Sequence, residues 1–367
     1  MTSEKIGRGS AGLAGRVHAC LLGGAIGDSL GAEIEFWPLE RIRRTFPHGF
    51  ADLPPHDGVA GAITDDTQMT LFTAEGLLRE AVRSASKGIC HPPAVVHHAL
   101  LRWFVTQGGR PALEVDTGGL VSDRRLHRRR APGLTCLSAL GEARRLGVPA
   151  RNGSKGCGTI MRVSSLAFLD RGTVRELAVA TSALTHGHPT GQEAAAAWAL
   201  ILNALAVEPD IERAAGLCLG SFGAETDAAI RRALAAPRDG RPETVETLGG
   251  GWTAEEALSI ALYACLCAED PERGLVIAVT HPGDSDSTGA IAGNALGLIF
   301  PDQILAHRWA GQVECADLIA RIADDLAFAL TGIPRNCGTT ILAGEGWTES
   351  PTVSGGRACR GGAGATR

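Results

Sequence analysis

Along most of this chain apolar residues return at the period of an α-helix, and almost nowhere at the period of a strand. Segments 12–32, 66–86, 94–106, 134–146, 174–186, 190–207, 211–222, 224–235, 254–268, 271–279, 287–300 and 311–331 each match a 3.6-residue repeat better than a two-residue one. Alanine and leucine dominate, β-branched alternation is scarce, and there is a single tyrosine, Tyr263. The expected fold class is therefore all-α. Thr253 followed by Glu256 forms a capping-box pattern ahead of Leu258 and Leu262, with a helix end expected near Asp270-Pro271 and a new helix starting at that proline.

With 367 residues, 44% of them hydrophobic, the chain can bury one large core. The glycine- and proline-rich stretches 47–61, 107–133 and 236–251 read as connections, none long or polar enough to force a boundary. One compact helical domain over 12–335 is expected, with a frayed amino terminus and a flexible tail over 348–367. A net charge of −5 gives no general basic footprint, so direct nucleic-acid binding is not expected. The one basic run, Arg124-Arg125-Leu126-His127-Arg128-Arg129-Arg130, reads first as a solvated loop and second as a phosphate contact. Ten cysteines without a compact framework and a start unlike a signal peptide point to a reducing compartment, hence a cytoplasmic protein without membrane association.

Two acidic clusters, Thr64-Asp65-Asp66-Thr67-Gln68 and Gly283-Asp284-Ser285-Asp286-Ser287-Thr288, lie about 220 residues apart, and each runs into an apolar helical pattern. Carboxylates at a helix start are favoured by the terminus, and one such oxygen, from Thr64 or Asp65, suffices for capping. Adjacent acids repel unless solvent or a cation offsets their charge. Four carboxylates brought to one point, with a hydroxyl from Ser287 or Thr288, make an oxygen-only site suited to magnesium, manganese or calcium rather than structural zinc. Convergence would allow two magnesium ions about 3.5–4 Å apart.

Three further segments carry polar groups in glycine-rich settings. In Gly23-Gly24-Ala25-Ile26-Gly27-Asp28-Ser29-Leu30-Gly31-Ala32-Glu33-Ile34-Glu35 the glycines allow close helix packing. Asp28 and Glu35 fall near one helical face if the helix continues that far, making Glu35 a candidate for orienting water or serving a leaving group. Asn152-Gly153-Ser154-Lys155-Gly156-Cys157-Gly158-Thr159 is either a packed turn or a diphosphate cradle with Ser154, Gly156 and Gly158 as donors; it matches neither the triphosphate loop nor the dinucleotide fingerprint. In Thr185-His186-Gly187-His188-Pro189, His186 is the candidate for a sugar or phosphate contact, and His188 reads as structural.

Taken in order, GAIGDSLGAEIEF, TDDTQM, NGSKGCGTIMR, THGHPTG and GDSDSTGAIAGN strongly resemble the ADP-ribosylglycohydrolase family, which includes the dinitrogenase reductase-activating glycohydrolase; the likeness spans about residues 14–300. The resemblance implies a compact all-helical fold with a dimagnesium cleft, manganese being a possible substitute, and Thr64, Asp65, Asp66, Asp284, Asp286 and Ser287 as metal ligands. It also implies that Glu35 lies near the scissile bond and that His186 and the 153–158 loop hold ADP-ribose. Ser287 stands where threonine is common, which keeps the hydroxyl, and Pro282 stands where many relatives have a small residue. Some relatives use a further acid upstream of the phosphate loop, for which Asp116 and Asp123 are the candidates. The implied activity is magnesium-dependent hydrolysis of the bond between ADP-ribose and a modified acceptor, foremost protein arginine. Two alternatives stand beside it: a hydrolase of serine-linked ADP-ribose or O-acetyl-ADP-ribose, and a non-catalytic ADP-ribose-binding or crystallin-like protein. The expected partner is an ADP-ribosylated protein or a small ADP-ribose conjugate.

Overall fold

The computed structural model describes residues 12–331; the expected frayed start and the 348–367 tail lie outside them. In chain order the helices are α1 (Leu13–Gly31), α2 (Leu39–Thr45), α3 (Asp65–Lys87), α4 (Pro92–Thr106), α5 (Leu134–Glu142), α6 (Arg171–Ala183), α7 (Pro189–Leu205), α8 (Ile211–Gly216), α9 (Ala224–Ala235), α10 (Pro242–Glu246), α11 (Ala254–Leu266), α12 (Pro271–Val279), α13 (Ser285–Ile299), α14 (Pro301–Leu305) and α15 (Ala316–Leu330). The one β element among the described residues is a ribbon pairing β1 (Pro55–His56) with β2 (Val59–Ala60). The fold is all-α.

Local chemistry sets the boundaries. Glu256 reaches back to accept from the Thr253 N–H (3.5 Å) at the start of α11, and α12 begins at Pro271, where no amide hydrogen is needed. Three helices are shorter than their apolar pattern suggested. α5 stops at Glu142 because Ala143 turns extended (ψ 129°), and α8 ends at Gly216. α15 starts only at Ala316, behind Cys315 in the left-handed region (φ 65°). The five- to seven-residue helices α2, α10 and α14 span too few turns for a period to register.

At the centre lies α1, buried on all sides from Val17 to Gly31 save its partly covered His18 and packed on α13, α15 and α3. Helix α1 meets α13 backbone to backbone. A Cβ added at Gly27 would stand 2.0 Å from the Gly289 carbonyl oxygen, and one at Gly23 2.3 Å from that of Gly293. At Gly31 the same atom would lie 2.3 Å from the Ser285 oxygen. Rising numbers on one helix meet falling numbers on the other, so the pair is antiparallel. The carboxyl end of α1 therefore lies beside the amino end of α13. Asn294 Nδ2 donates to the Cys20 carbonyl (2.8 Å) and helps fix this register. One connected apolar cluster extends from Val17 to Ala327 and includes fully buried Trp103, Trp198 and Trp309.

Candidate metal centre and substrate cleft

Thr64 caps α3, its hydroxyl oxygen accepting from the Asp66 N–H (3.3 Å). The segment is also held from α1: the buried Asp28 carboxylate accepts from the N–H groups of Thr64 (3.0 Å) and Thr67 (3.1 Å). From the other side Arg130 donates to the Ile63 carbonyl (2.7 Å) while pairing with Glu314. Asp65 and Asp66 are thus presented by the first turn of α3. Asp65 Oδ2 accepts from the Gly133 N–H (3.2 Å), whereas Asp66 Oδ1 is buried with no protein partner.

The second acidic cluster opens α13. Asp284 caps that helix by accepting from the Ser287 N–H (3.3 Å), and Asp286 Oδ1 accepts from the same group (2.9 Å). The Asp284 N–H donates to the Gly250 carbonyl (2.9 Å), and the Cys157 thiol donates to Asp284 Oδ2 (2.9 Å). Glu35 arrives from α1, but not on a continued helical face: α1 ends at Gly31, and a turn follows in which the Glu35 N–H donates to the Gly31 carbonyl (3.0 Å). The Phe36 N–H then donates to the Gly283 carbonyl (3.2 Å). One oxygen each of Glu35, Asp284 and Asp286 lies within 4.8 Å of the others.

Electrostatics ties the two clusters together. Burial pushes Glu35 up to about 8, with the charges of Asp284, Asp65 and Asp28 adding to it. Asp65 is likewise pushed up to about 8, first by burial and then by Asp28 and Asp284 against the opposing Gly133 hydrogen bond. Asp66 and Asp286 are held well above the carboxylate range, by burial first and then by neighbouring charges, foremost Asp65 for Asp66 and Asp66 for Asp286. Such a nest of oxygen donors, one of them an orphaned buried atom, fits a hard divalent cation, whose charge would relieve the repulsion.

Beside it lies the 152–158 loop. Asn152 Oδ1 accepts from Ser154 N–H (3.1 Å) and Gly187 N–H (3.0 Å), and Ser154 Oγ lies 3.2 Å from Thr135 Oγ1. The Cys157 N–H is already taken by the Trp252 carbonyl (3.1 Å), and the Gly156 N–H leans 3.4 Å from Ser154 Oγ. His186 packs on this loop: its Nε2 would lie 3.3 Å from a Cβ at Gly156 and 3.4 Å from one at Gly158. Its Nδ1 lies 2.8 Å from Thr185 Oγ1, a hydroxyl that in turn accepts from Arg162 (2.8 Å). Burial, then the Arg162 charge, lowers His186 to about 3, so the ring is neutral. His188 caps α7 by accepting from the Thr190 N–H (3.2 Å).

The remaining candidates lie elsewhere. Asp116 joins a buried ion cluster with Arg79 (3.1 Å), Arg102 and Glu75 between α3 and α4, and Asp123 pairs with Arg125 (2.7 Å). Neither is among the leading charges felt by Glu35, Asp65, Asp66 or Asp286. In the basic run Arg125 pairs with Asp123 and Asp317, and buried Arg130 braces the residue before Thr64. Positioning roles that sequence reasoning missed belong to Asp28, Arg162, Cys157 and the Gly250 carbonyl. For Asp28 a signal was present, an acid amid glycines in a helix too apolar to be at the surface.

A sequence profile of the ADP-ribosylglycohydrolase family matches residues 10–334. An uncharacterized protein of Archaeoglobus fulgidus is 25% identical over 319 residues, covering 84% of this chain and 94% of that protein. The uncharacterized protein YegU of Escherichia coli is 26% identical over 312 residues, covering 76% and 85% respectively. A solved structure described as an ADP-ribosylglycohydrolase-related protein complex superposes with a TM-score of 0.59 at 23% identity, covering 86% of this chain and 98% of that one, which is a likeness of fold.

Proposed function

The chain belongs to the ADP-ribosylglycohydrolase family, and on that premise we propose that it hydrolyses the glycosidic bond between ADP-ribose and a modified acceptor, with protein arginine as the favoured acceptor. The observation that carries this reading is the meeting of Glu35, Asp284 and Asp286 within 4.8 Å of one another, beside a glycine-rich loop and a neutral histidine. A non-catalytic relative would be expected to lack metal ligands, whereas all four central aspartates are present in this chain.

Thr64, Asp65, Asp66, Asp284, Asp286 and Ser287 would hold magnesium, with manganese as a substitute. When bound, the cation supplies positive charge that orders the ribose hydroxyls and a water. The chain's own groups do the rest. Neutral His186 offers Nε2 to a sugar or phosphate oxygen, while Ser154, Gly156 and Gly158 line the path of the diphosphate. Glu35 manages the proton. As the C–N bond to the acceptor breaks, a water oxygen bonds the anomeric carbon and one of its protons ends on the departing guanidine, with Glu35 as the relay. No charge is created overall, since a guanidinium group enters and a guanidinium ion leaves. Burial raises the proton affinity of this carboxyl in the metal-free chain, and the charge of a bound cation would draw it back down.

The test is hydrolysis of matched arginine-linked, serine-linked and O-acetyl ADP-ribose substrates with and without magnesium, with Asp286→Asn as control. Magnesium-dependent release of ADP-ribose from the arginine linkage supports the reading. Exclusive cleavage of another linkage replaces the acceptor, and tight ADP-ribose binding without any cleavage replaces the activity.

A further inference from the structure

A lysine in a glycine-rich loop is commonly the residue that meets a phosphate, and Lys155 stands between Gly153 and Gly156 in the loop read above as a diphosphate cradle. Its side chain is engaged elsewhere. Lys155 Nζ donates to Glu225 (2.7 Å) at the start of α9 and pairs with Glu255 at the start of α11. Glu225 also takes a hydrogen bond from Thr190 on α7. The recess that Lys155 lines is walled by Ala228, Arg232 and Glu256 and by none of the six proposed metal ligands. The backbone is held as well: the Lys155 carbonyl accepts from Ala254 N–H (2.9 Å), and a Cβ added at Gly191 would stand 3.0 Å from the Lys155 Cα.

We propose that Lys155 is a positioning residue of the ADP-ribose site, a latch that holds the 152–158 loop in its binding shape from behind, through Glu255 and Glu225, without touching the diphosphate. This rests on the hydrolase reading above. The Glu255 side chain is only 9% exposed, and its Oε2 is buried with no hydrogen-bond partner. An ammonium that swung away to a phosphate would leave this carboxylate enclosed without its cation, a far larger loss than giving up a pair in open water. The loop in turn needs holding. Three of its seven residues are glycines, which lose the most freedom on ordering, and its one bridge to regular pairing joins Gly156 to Thr253. Tethers at Lys155 reduce the ordering that a ligand would otherwise have to supply.

The test uses the full chain with magnesium and follows ADP-ribose binding by calorimetry in Lys155→Met, Lys155→Arg, Glu255→Met and the double variant Lys155→Met/Glu255→Met. ADP-ribose affinity is expected to fall about 3- to 30-fold in Lys155→Met and in Glu255→Met. The double variant should lose no more than the weaker-binding single one, and Lys155→Arg should recover most of the loss. KM for the arginine linkage should rise by the same factor with kcat within about threefold, and magnesium affinity should hold. An ammonium that met the diphosphate itself would respond in the opposite sense at Glu255, since freeing it by Glu255→Met would leave ADP-ribose affinity unchanged or raise it. That outcome, parent affinity in Lys155→Met, additive losses in the double variant, or an equal loss of magnesium affinity overturns the latch. A parent that binds ADP-ribose but cleaves no linkage defeats the hydrolase reading, and the binding cycle still decides the latch on its own.

Discussion

Asp28, in the middle of the central helix, accepts the backbone N–H of Thr64 at 3.0 Å and so fixes where α3 begins. The same carboxylate accepts from Thr67 N–H, and the segment between them carries Asp65 and Asp66. A buried acid on α1 therefore serves the acidic cluster without belonging to either half of it. Replacing Asp28 with alanine leaves two buried N–H groups without acceptors, at about 1–3 kcal/mol each. Asp28→Asn keeps one acceptor oxygen and sheds a charge that burial already disfavours. Urea denaturation should show a large loss for Asp28→Ala and a small one for Asp28→Asn. Calorimetric magnesium affinity should fall in the same order, and equal stability of the two variants would remove the positioning role.

The second prediction concerns the antiparallel glycine contact. Gly27→Ala puts a methyl 2.0 Å from the Gly289 carbonyl oxygen, with no flexible side chain to give way. The helices must separate, at about 3 kcal/mol or more. Because Glu35 follows α1 and Asp284 and Asp286 open α13, the same separation pulls the three oxygens apart. Gly12→Ala, with open space around the added atom, is the control. Loss of melting temperature together with magnesium affinity in Gly27→Ala alone is the expected result.

Helical class was legible because the long helices repeat their apolar residues over several turns, and the caps at Thr64, Thr253 and Pro271 mark where three of them begin. Partnership was less legible. Glycines at 23, 27 and 31 announce a close approach but not the helix approached, since a missing side chain carries no label; only the matching Gly289 and Gly293 hint at it. Glu35 was picked out on a helical face that does not exist, because nothing in Ala32-Glu33-Ile34 announces a turn, and the Phe36–Gly283 hydrogen bond that aims it joins segments far apart in the chain. Asp116 looked available by its place in the sequence, yet Arg79 of α3 and Arg102 of α4 neutralise it. Long-range pairing of this kind leaves no local signature.

Metal-free protein should lose stability as pH rises. Glu35, ordinarily near 4.5, and Asp65, ordinarily near 3.8, are both pushed up to about 8 in the folded chain. Between those limits the folded state holds protons that the unfolded state has released, so the slope of unfolding free energy with pH is negative. The contribution is full below the unfolded values and is lost through about pH 8. In EDTA the melting temperature should drop across pH 5 to 8 by more than in Asp286→Asn, which removes one of the raised carboxyls. Added magnesium should raise it most at the upper end. A flat profile in EDTA would contradict the cluster's assigned electrostatics.

Glu35→Gln separates proton handling from substrate holding. The amide has the same size, so the turn after Gly31 and the Phe36–Gly283 hydrogen bond should persist and the melting temperature should change little. The 152–158 loop, His186 and the four aspartates are untouched, so ADP-ribose affinity should stay within a few-fold. Turnover of the arginine linkage should fall about 10²–10⁴-fold, because glutamine can neither accept the water proton nor pass it to the departing nitrogen. The fall should sit in kcat rather than KM, since the contribution lost is made only as the bond breaks. The pH–rate limb owed to this carboxyl should vanish with it. Parent-like turnover by the variant would take Glu35 out of the chemistry, whereas a large drop in melting temperature with proportionate loss of ADP-ribose binding would make it a packing residue.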